Sequence, residues 1–297
     1  MAGGGGARLA ANDPLARAKL LAVATLELKA SARIRLAAVL DPENLPPSVA
    51  AQVTEQVESG VDPVTGTLYS RRRRRLGALV LEDRTVAADP VDSASALADA
   101  AAAKLREGKL DLLGWNEAAR QFQARVGLMH GLEPEIWPDL SDAGLAKSAP
   151  DWLPGWMGGM RGLGDLSRLD VLEILRGMLD YRLLKRLDEE MPTHLALSRS
   201  RASVDYTQPV PMAEARAQFF YGMEATPKLA GGRIPLRLAL LSPAGRPIAV
   251  TADLAGFWRG GWLDARRDMR GRYPKHDWPE NPAKASPPPE RKPGGAR

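Results

Sequence analysis

A run of five consecutive arginines at residues 71–75 restricts the fold of this chain more than any other feature. It ends a segment, residues 67–75, whose length and bounding glycines favour a β-strand. Successive side chains of a strand point to opposite faces, so the five guanidinium groups cannot all line one surface. Some must face whatever lies behind the sheet, where unpaired burial would cost roughly several kcal/mol each. The strand therefore lies at a sheet edge, carries a bulge, or is covered by acidic groups or nucleic acid.

Three interpretations of this arginine run stay open from the sequence. Charged side chains protect edge strands against aggregation, which requires no ligand. Guanidinium groups also match phosphate geometry, and a basic strand across a small barrel can follow a nucleic-acid backbone. The third interpretation is a contact with another domain. The candidate phosphate ligands in the run are Arg71, Arg72, Arg73, Arg74 and Arg75.

Residues 1–88 are predicted to form a small, mostly antiparallel β-barrel. Two apolar runs within residues 20–40 have strand lengths, and the join at residues 29–31 is short enough for a hairpin, although Ala and Leu also suit a helix. The alternation of apolar and basic residues at 32–36 favours strands. Further strands are predicted at residues 53–57, 67–75 and 78–82. About five strands in this length match the size class of the OB-fold.

The rest of the chain is predicted to be helical and then mixed, which makes the whole an α+β protein. Residues 89–190 form a helical block, beginning with an Ala-rich helix that Ser93 or Ser95 caps. Residues 191–279 form a mixed carboxyl-terminal domain. Its predicted elements are a strand pair within 194–206, a helix at 211–221, strands at 234–241 and 247–251 joined by a turn at 242–245, and a final helix at 253–270. Residues 280–297, rich in Pro and charge, are predicted to be a disordered tail.

The final helix carries an apolar stripe that we expect in the core, since aromatic residues at helical spacing usually pack inward. The stripe consists of Leu254, Phe257, Trp258, Trp262, Ala265 and Met269. Basic residues on its other faces, and just beyond its end, form either a phosphate-binding strip or a solvated exit that docks Tyr273 and Trp278. The candidate ligands of this carboxyl-terminal strip are Arg267, Arg270, Arg272 and Lys275.

Several classes of site are disfavoured by what the sequence lacks. With no Cys and only three His, thiolate nucleophiles, Cys zinc sites and iron–sulfur clusters are excluded, and no metal site is predicted. Neither a dinucleotide fingerprint nor a P-loop or G-x-S-x-G motif occurs.

The net charge of +5 permits an anionic partner without requiring one. No apolar run is long enough to cross a membrane, and the amino terminus lacks an export signal, so a cytoplasmic protein is expected.

Two segments are the most distinctive in the sequence, GGRIPLRLALLSPAGRPIAVTADLAGFWRGGW at 231–262 and MRGRYPKHDWP at 269–279. They resemble the carboxyl-terminal domain of HrpB-type ATP-dependent helicases, bacterial members of the DEAH-box group. The resemblance continues upstream through TPKLAGG, PTHLALS, IWPDLSDAGL and RRRRRLGALVLEDR. It departs at Ser198, Arg199 and Ser200, where the family usually has Ser-Gly-Ser, so the local turn can differ.

The resemblance implies a region downstream of a helicase motor, with a ratchet-like helical bundle and an OB-like barrel. Both RecA-like motor domains lack a counterpart in this sequence, so no catalytic residue of the family can be placed on it, and ATP and Mg²⁺ would belong to the motor. The implied function is retention of single-stranded RNA or DNA and coupling to motor domains in cis or in trans. We expect no cofactor and no ATP hydrolysis by this chain alone. The alternative is a protein-interaction module that docks the motor or another partner without contacting nucleic acid.

Overall fold

The computed structural model describes residues 1–10, 12–28, 32–87, 89–197 and 200–287. Its strands are β1 (Leu21–Leu28), β2 (Ala32–Val39), β3 (Val53–Val61), β4 (Leu68–Leu76), β5 (Leu79–Thr85), β6 (His194–Leu197), β7 (Ser200–Asp205), β8 (Met212–Arg216), β9 (Arg237–Leu241) and β10 (Pro247–Thr251). Its α-helices are α1 (Pro47–Ala50), α2 (Pro90–Arg106), α3 (Glu117–Leu132), α4 (Asp142–Trp152), α5 (Val171–Gly177), α6 (Tyr181–Glu190), α7 (Leu254–Arg259) and α8 (Trp262–Arg272). The predicted α+β class is therefore confirmed.

The chain folds into two compact units. The first comprises residues 1–112 and 148–166, and the second comprises residues 113–147 and the residues from 167 onward. These limits differ from the four-part division at residues 88, 190 and 279, which stays a prediction.

In the first unit, the five predicted strands are present and form two antiparallel sheets. One is the β1–β2 pair, and the other has the order β3-β4-β5. Among the described residues, these sheets do not close into a barrel, so the OB-like barrel also stays a prediction. The hairpin expected at 29–31 lies outside the described residues.

Helix α2 provides the apolar core of the first unit. Its alanines and leucines bury one face, which contacts β3 and β4. The helix begins earlier than predicted because Asp89, and not Ser93 or Ser95, is its cap. The Asp89 carboxylate accepts hydrogen bonds from the backbone N–H groups of Val91 (2.8 Å) and Asp92 (3.2 Å). Pro90 at the first helical position favours this start, since the backbone N–H that proline lacks would have no partner within the helix at that position.

The second unit contains a five-stranded sheet of order β10-β9-β8-β7-β6, in which β8 and β9 are parallel and the other pairs are antiparallel. One face is buried, because the apolar residues of each strand alternate with polar ones. The buried side chains include Leu195, Leu197, Ala202, Val204, Ala213, Leu238 and Leu240. We call the opposite face the open sheet face.

The helix predicted at 211–221 is wrong. This segment forms strand β8, followed by a short 3-10 helix, Ala217–Phe220. The alternation in Met-Ala-Glu-Ala-Arg fits a strand with one buried face, and pairing with β9 outweighs the helix preference of Ala and Glu. The strands at 194–206, 234–241 and 247–251 are confirmed in type, and Gly245 forms the predicted turn at a φ of 77°. The altered turn expected at Ser198 and Arg199 lies outside the described residues.

The final helix is two helices and not the single one predicted, because the chain breaks at Gly260, which has φ −119° and ψ −85°. Glycine lacks a Cβ atom and so adopts such unusual backbone angles at little steric cost. Four of the six stripe residues, Leu254, Trp258, Trp262 and Met269, are nevertheless buried as predicted, whereas Phe257 and Ala265 are half-buried. The rings of Trp258 and Trp262 lie edge to face, with centroids 5.2 Å apart. Trp278 also packs on Trp262, at 6.0 Å. Ordered contacts extend past residue 280, since the backbone carbonyl of Pro282 accepts a hydrogen bond from Gly222, and residues 288–297 lie outside the described residues.

Candidate nucleic-acid interface

Strand β4, which carries the arginine run, is the central strand of its sheet. The strand register places acidic residues of both neighbouring strands, β3 and β5, opposite its arginines. Arg71 is opposite Glu58 of β3, Arg73 is opposite Asp83 of β5, and Arg74 lies between Glu55 and Glu82. A sheet edge, the first interpretation of the run, is therefore wrong. Instead, both faces of β4 are supplied with carboxylates by the adjacent strands.

Every guanidinium of the arginine run has a carboxylate within 4 Å. The pairs are Arg71–Asp83 (3.6 Å), Arg72–Glu55 (3.2 Å), Arg73–Glu58 (2.6 Å), Arg73–Asp83 (3.1 Å), Arg74–Glu82 (3.6 Å) and Arg75–Glu58 (3.6 Å). The hydrogen bond to Asp83 and the charge of Glu58 raise the pKa of Arg73 above its ordinary value. A phosphate would have to compete with these pairs, so the run is less available than its composition indicates.

The carboxyl-terminal strip is only partly paired. Arg267 pairs with Asp264 at 3.3 Å and Arg272 pairs with Asp268 at 2.9 Å, in each case along α8. Arg270 and Lys275 are exposed and have no ion pair within the described part of the chain. The strip belongs to the second unit and the arginine run to the first, so the two candidate sets lie in different compact units.

Sequence reasoning missed a third set of arginines, on the open sheet face of the second unit. Arg201 of β7, Arg216 of β8 and Arg237 of β9 are exposed. Considering only the residues that the structure describes, none of the three has a carboxylate within ion-pair distance. They are far apart in sequence, and only strand pairing brings them to one surface. The signal available in the sequence was the alternation of polar and apolar residues in Arg-Ala-Ser-Val-Asp at 201–205 and of Ala with longer side chains in Met-Ala-Glu-Ala-Arg at 212–216.

A cleft of about 610 Å³ adjoins the open sheet face. Helices α3 and α5 form one side, and β6 and β7 form the other. Its apolar lining comes from Ala118, Phe122, Leu172 and Val204. Arg176 of α5 also lines the cleft, with its guanidinium carbon 5.8 Å from the centre of the Phe122 ring. His194 and Ser203, which are opposite each other on β6 and β7, line the cleft and belong to the open sheet face.

The wall of the cleft is fixed by polar contacts. Gln121 donates to the Asp205 carboxylate (2.6 Å) and accepts from the backbone N–H of Tyr206 (2.8 Å). Burial acts to raise the pKa of Asp205, but hydrogen bonds from Thr207, Gln208 and Gln121 outweigh it and hold the pKa at about 2. The carboxylate is thus anionic and already accepts four hydrogen bonds within the protein.

Arg125 anchors the same wall from beneath. It is buried and donates to the backbone carbonyls of Met191 (2.7 Å) and Leu187 (3.3 Å). Its other contact is an ion pair with Asp188 at 2.7 Å. Because its donors are bound to the protein, Arg125 has a structural role, whereas Arg176 presents its guanidinium to the cleft.

A second charged network ties together helices of the second unit. The Glu133 carboxylate receives Arg186 (2.7 Å) and Arg233 (2.6 Å), and Glu190 receives the same two arginines at 2.6 Å and 3.0 Å. Hydrogen bonds from Arg186 and then Arg233 lower the pKa of Glu133 to about 2. All four groups form ion pairs with one another, so this network offers no free charge to a ligand.

The described residues hold no cluster of three or more His, Asp or Glu side chains that could bind a metal ion. Nor does any helix in the described ranges have the length and apolar character needed to cross a membrane.

Comparison with known proteins confirms the resemblance noted in the sequence. Residues 152–282 match a family model described as ATP-dependent helicase C-terminal. The chain is 37% identical, over 97% of its length, to the ATP-dependent RNA helicase HrpB of Escherichia coli strain K12, and covers 36% of that protein. A crystal structure of the E. coli DExH-box NTPase HrpB matches with a TM-score of 0.64 and 35% identity, covering 97% of this chain and 36% of that one. A second, of the E. coli DEAH/RHA helicase HrpB, gives 0.56 and 31%, with coverage of 93% and 35%. The chain spans about a third of the length of these relatives.

Proposed function

Because this chain matches the carboxyl-terminal region of HrpB-type ATP-dependent helicases, we propose that it is a helicase accessory region that holds single-stranded nucleic acid. The observation that carries the proposal is the 37% identity to an ATP-dependent RNA helicase along 97% of the chain. RNA is therefore the first substrate to test. The proposed location is the cytoplasm, and the proposed architecture retains an OB-like barrel built on residues 1–88.

The physical need for such a region follows from how a stepping motor works. A motor that grips its strand in only part of the ATP cycle would lose the strand between steps. A second surface with weak contacts to phosphates keeps the strand in place without depending on base sequence. Hydrolysis belongs to the motor, since the sequence has no P-loop and no DEAH box. ATP and Mg²⁺ would accordingly bind the motor, in cis or in trans.

The predicted contact residues differ in how well the structure supports them. Arg270 and Lys275 of the carboxyl-terminal strip are exposed and free of ion pairs among the described residues, so they can receive a phosphate directly. Arg267 and Arg272 must share their charge with exposed carboxylates of the same helix. The arginine run, with a carboxylate beside each guanidinium, is the weakest of these candidates.

A binding titration with fluorescently labelled single-stranded RNA tests the proposal. At about 0.1 M salt we expect measurable binding, and the logarithm of the association constant should fall linearly with the logarithm of salt concentration. Single-stranded DNA of the same sequence, measured in parallel, determines whether the 2′-hydroxyl contributes. Absence of binding to both polymers, even at about 0.05 M salt, would contradict the proposal.

A second candidate function is a protein-interaction module that docks the motor. It is favoured by the pairing of the arginine run and by exposed apolar side chains on the β1–β2 sheet, of which Leu28 is 79% exposed and Leu36 is 62% exposed. This candidate predicts association with a separately produced HrpB-type motor fragment and no RNA binding. Analytical ultracentrifugation of the mixture, with Leu28→Ser/Leu36→Ser as the weakened variant, distinguishes it from nucleic-acid retention.

A further inference from the structure

We propose that single-stranded nucleic acid crosses the open sheet face of the second unit, with one base in the cleft between α3, α5, β6 and β7. Arg176, Arg201 and Arg216 bind the backbone phosphates. This site rests on the proposed function and locates it on residues outside both sets that the sequence singled out. It rests on three observations: free guanidinium groups, an adjoining cleft, and a shared boundary between the two.

The three guanidinium groups are available for an anion. Each side chain is exposed, and within the described ranges each lacks a carboxylate at ion-pair distance. A phosphate that binds there displaces water and mobile ions but breaks no ion pair of the protein, in contrast to the arginine run. Glu214 is an exposed acid on the same face, and its separation from Arg216 leaves the latter unpaired.

The spacing of the arginines suits a strand that crosses the sheet. Arg201 precedes Ser203 by two residues on β7, so its side chain lies on the same face, roughly 6.6 Å along the strand. Arg216 lies on the adjacent strand β8, three residues beyond the Val204–Ala213 pair, and Arg201 lies three residues beyond the same pair on β7, so both are at the same end of this strand pair. A polynucleotide chain that runs across the strands therefore meets successive guanidinium groups.

The cleft supplies the second half of the site. Its volume of about 610 Å³ and its apolar lining match the usual size and character of small-molecule pockets. The polar groups that remain available at its lining include two donors, the Arg176 guanidinium and the Ser203 hydroxyl, and one exposed carboxylate, that of Glu117. These donors complement the carbonyl oxygens and ring nitrogens of a base. Base burial against an apolar or aromatic wall is tolerant of sequence, as a retention surface requires.

The cleft and the open sheet face form one continuous surface. His194 and Ser203 face each other across β6 and β7, and both line the cleft while belonging to the open face. A nucleotide whose base lies in the cleft thus has its sugar and phosphate next to the β6–β7 strand pair, on which Arg201 also lies. Continuity of this kind is needed if a single ligand is to use both features.

The first test measures the charge contribution. Arg176→Gln/Arg201→Gln/Arg216→Gln should reduce the salt slope of RNA binding by about 2, since each contact to a single strand contributes about 0.7. Arg182→Gln/Arg246→Gln/Arg259→Gln is the matched control, with the same charge change at exposed arginines of the second unit outside every candidate set, and should leave the slope nearly unchanged. Single variants, each lowering the slope by about 0.7, serve if the triple variant does not fold.

The second test measures the base contribution. Ala118 is exposed on α3 and lines the cleft, so Ala118→Trp fills the cleft without disturbing the core. We expect about tenfold weaker RNA binding with the salt slope unchanged, because the lost contact is not ionic. Ala118→Ser keeps the cleft open and should bind as the natural chain does.

The outcomes separate this site from the proposed function. RNA binding that keeps its slope in the Arg176, Arg201 and Arg216 variants, or loses it equally in the Arg182, Arg246 and Arg259 control, overturns the site while the function stands. Unchanged affinity of Ala118→Trp removes the base from the cleft and also overturns the proposal. A natural chain that binds no RNA contradicts the proposed function itself.

Discussion

Arginines on strands behave differently in the two compact units. In the first unit, β4 carries five in succession, and acidic residues on both neighbouring strands pair with all of them. In the second unit, Arg201 and Arg216 lie on strands whose neighbours place no carboxylate beside them among the described residues. The denser cluster is therefore the less available one. What decides whether an arginine can bind phosphate is the composition of the adjacent strands, and not the local density of positive charge.

The largest expected effect tests a third class of arginine, one that is buried and paired. Arg125→Ala removes a guanidinium that satisfies two backbone carbonyls and Asp188, so we expect a loss of roughly 3 kcal/mol in the free energy of unfolding. Urea denaturation measures it. Arg176→Ala is the matched control and should change stability by at most about 0.5 kcal/mol, because it is exposed. Similar losses for both variants would contradict the distinction between anchoring and free arginines.

The second prediction concerns a variant of the first unit in which the arginine run loses carboxylate partners and should become available to phosphate, as the free arginines of the second unit are. Glu58→Gln/Asp83→Asn removes the carboxylates that pair with Arg71, Arg73 and Arg75. If pairing is what withholds the run from phosphate, this variant should bind single-stranded RNA with a salt slope steeper by about 1 to 2. An unchanged slope, in a variant that circular dichroism shows to be folded, would mean that something other than ion pairing prevents contact.

Acid titration is expected to affect the second unit through Glu133 and Asp205. Both have pKa values of about 2 in the folded protein, below their ordinary values of 4.5 and 3.8. The unfolded state therefore binds protons more readily, and the stabilisation is complete above about pH 5 and lost as the pH falls toward 2. Thermal unfolding between these pH values should show a falling melting temperature. Glu133→Gln should flatten the profile, and a profile that stays as steep would exclude Glu133 as a contributor.

The smallest expected effect concerns an exposed pair. Arg267 and Asp264 have side chains that are 82% and 84% exposed, so Asp264→Asn should alter the free energy of unfolding by at most about 0.5 kcal/mol. The same variant frees Arg267, and a modest gain in RNA affinity at low salt would place the carboxyl-terminal strip in contact with the strand. No gain would leave that strip outside the interface.

Local patterns predicted much of this fold. The alternation at 32–36 indicated strands, and the spacing of Trp258, Trp262 and Met269 indicated a buried helical face. What failed depends on distant partners. Strand β8 forms because it pairs in parallel with β9, which begins about twenty residues later in the chain. The local sequence carries no sign of this partner, so local propensity alone predicts a helix there.

The candidate site shows the same division between local and distant information. The arginine run is conspicuous in the sequence, yet its neutralisation depends on Glu55, Glu58, Glu82 and Asp83 in two other strands. Acidic residues in the flanking predicted strands were a usable signal for this pairing. Arg176, Arg201 and Arg216 are isolated in the sequence and become neighbours of one surface only after the sheet and helix α5 assemble.

The packed indoles of Trp258, Trp262 and Trp278 give the second unit an optical signature of its own. Rings held 5.2 Å and 6.0 Å apart in fixed, asymmetric orientations should produce a strong near-ultraviolet circular dichroism band. Such a band disappears when side-chain packing loosens, even if the backbone structure persists. Every variant described above can therefore be checked for an intact carboxyl-terminal core, with no label attached and no ligand added.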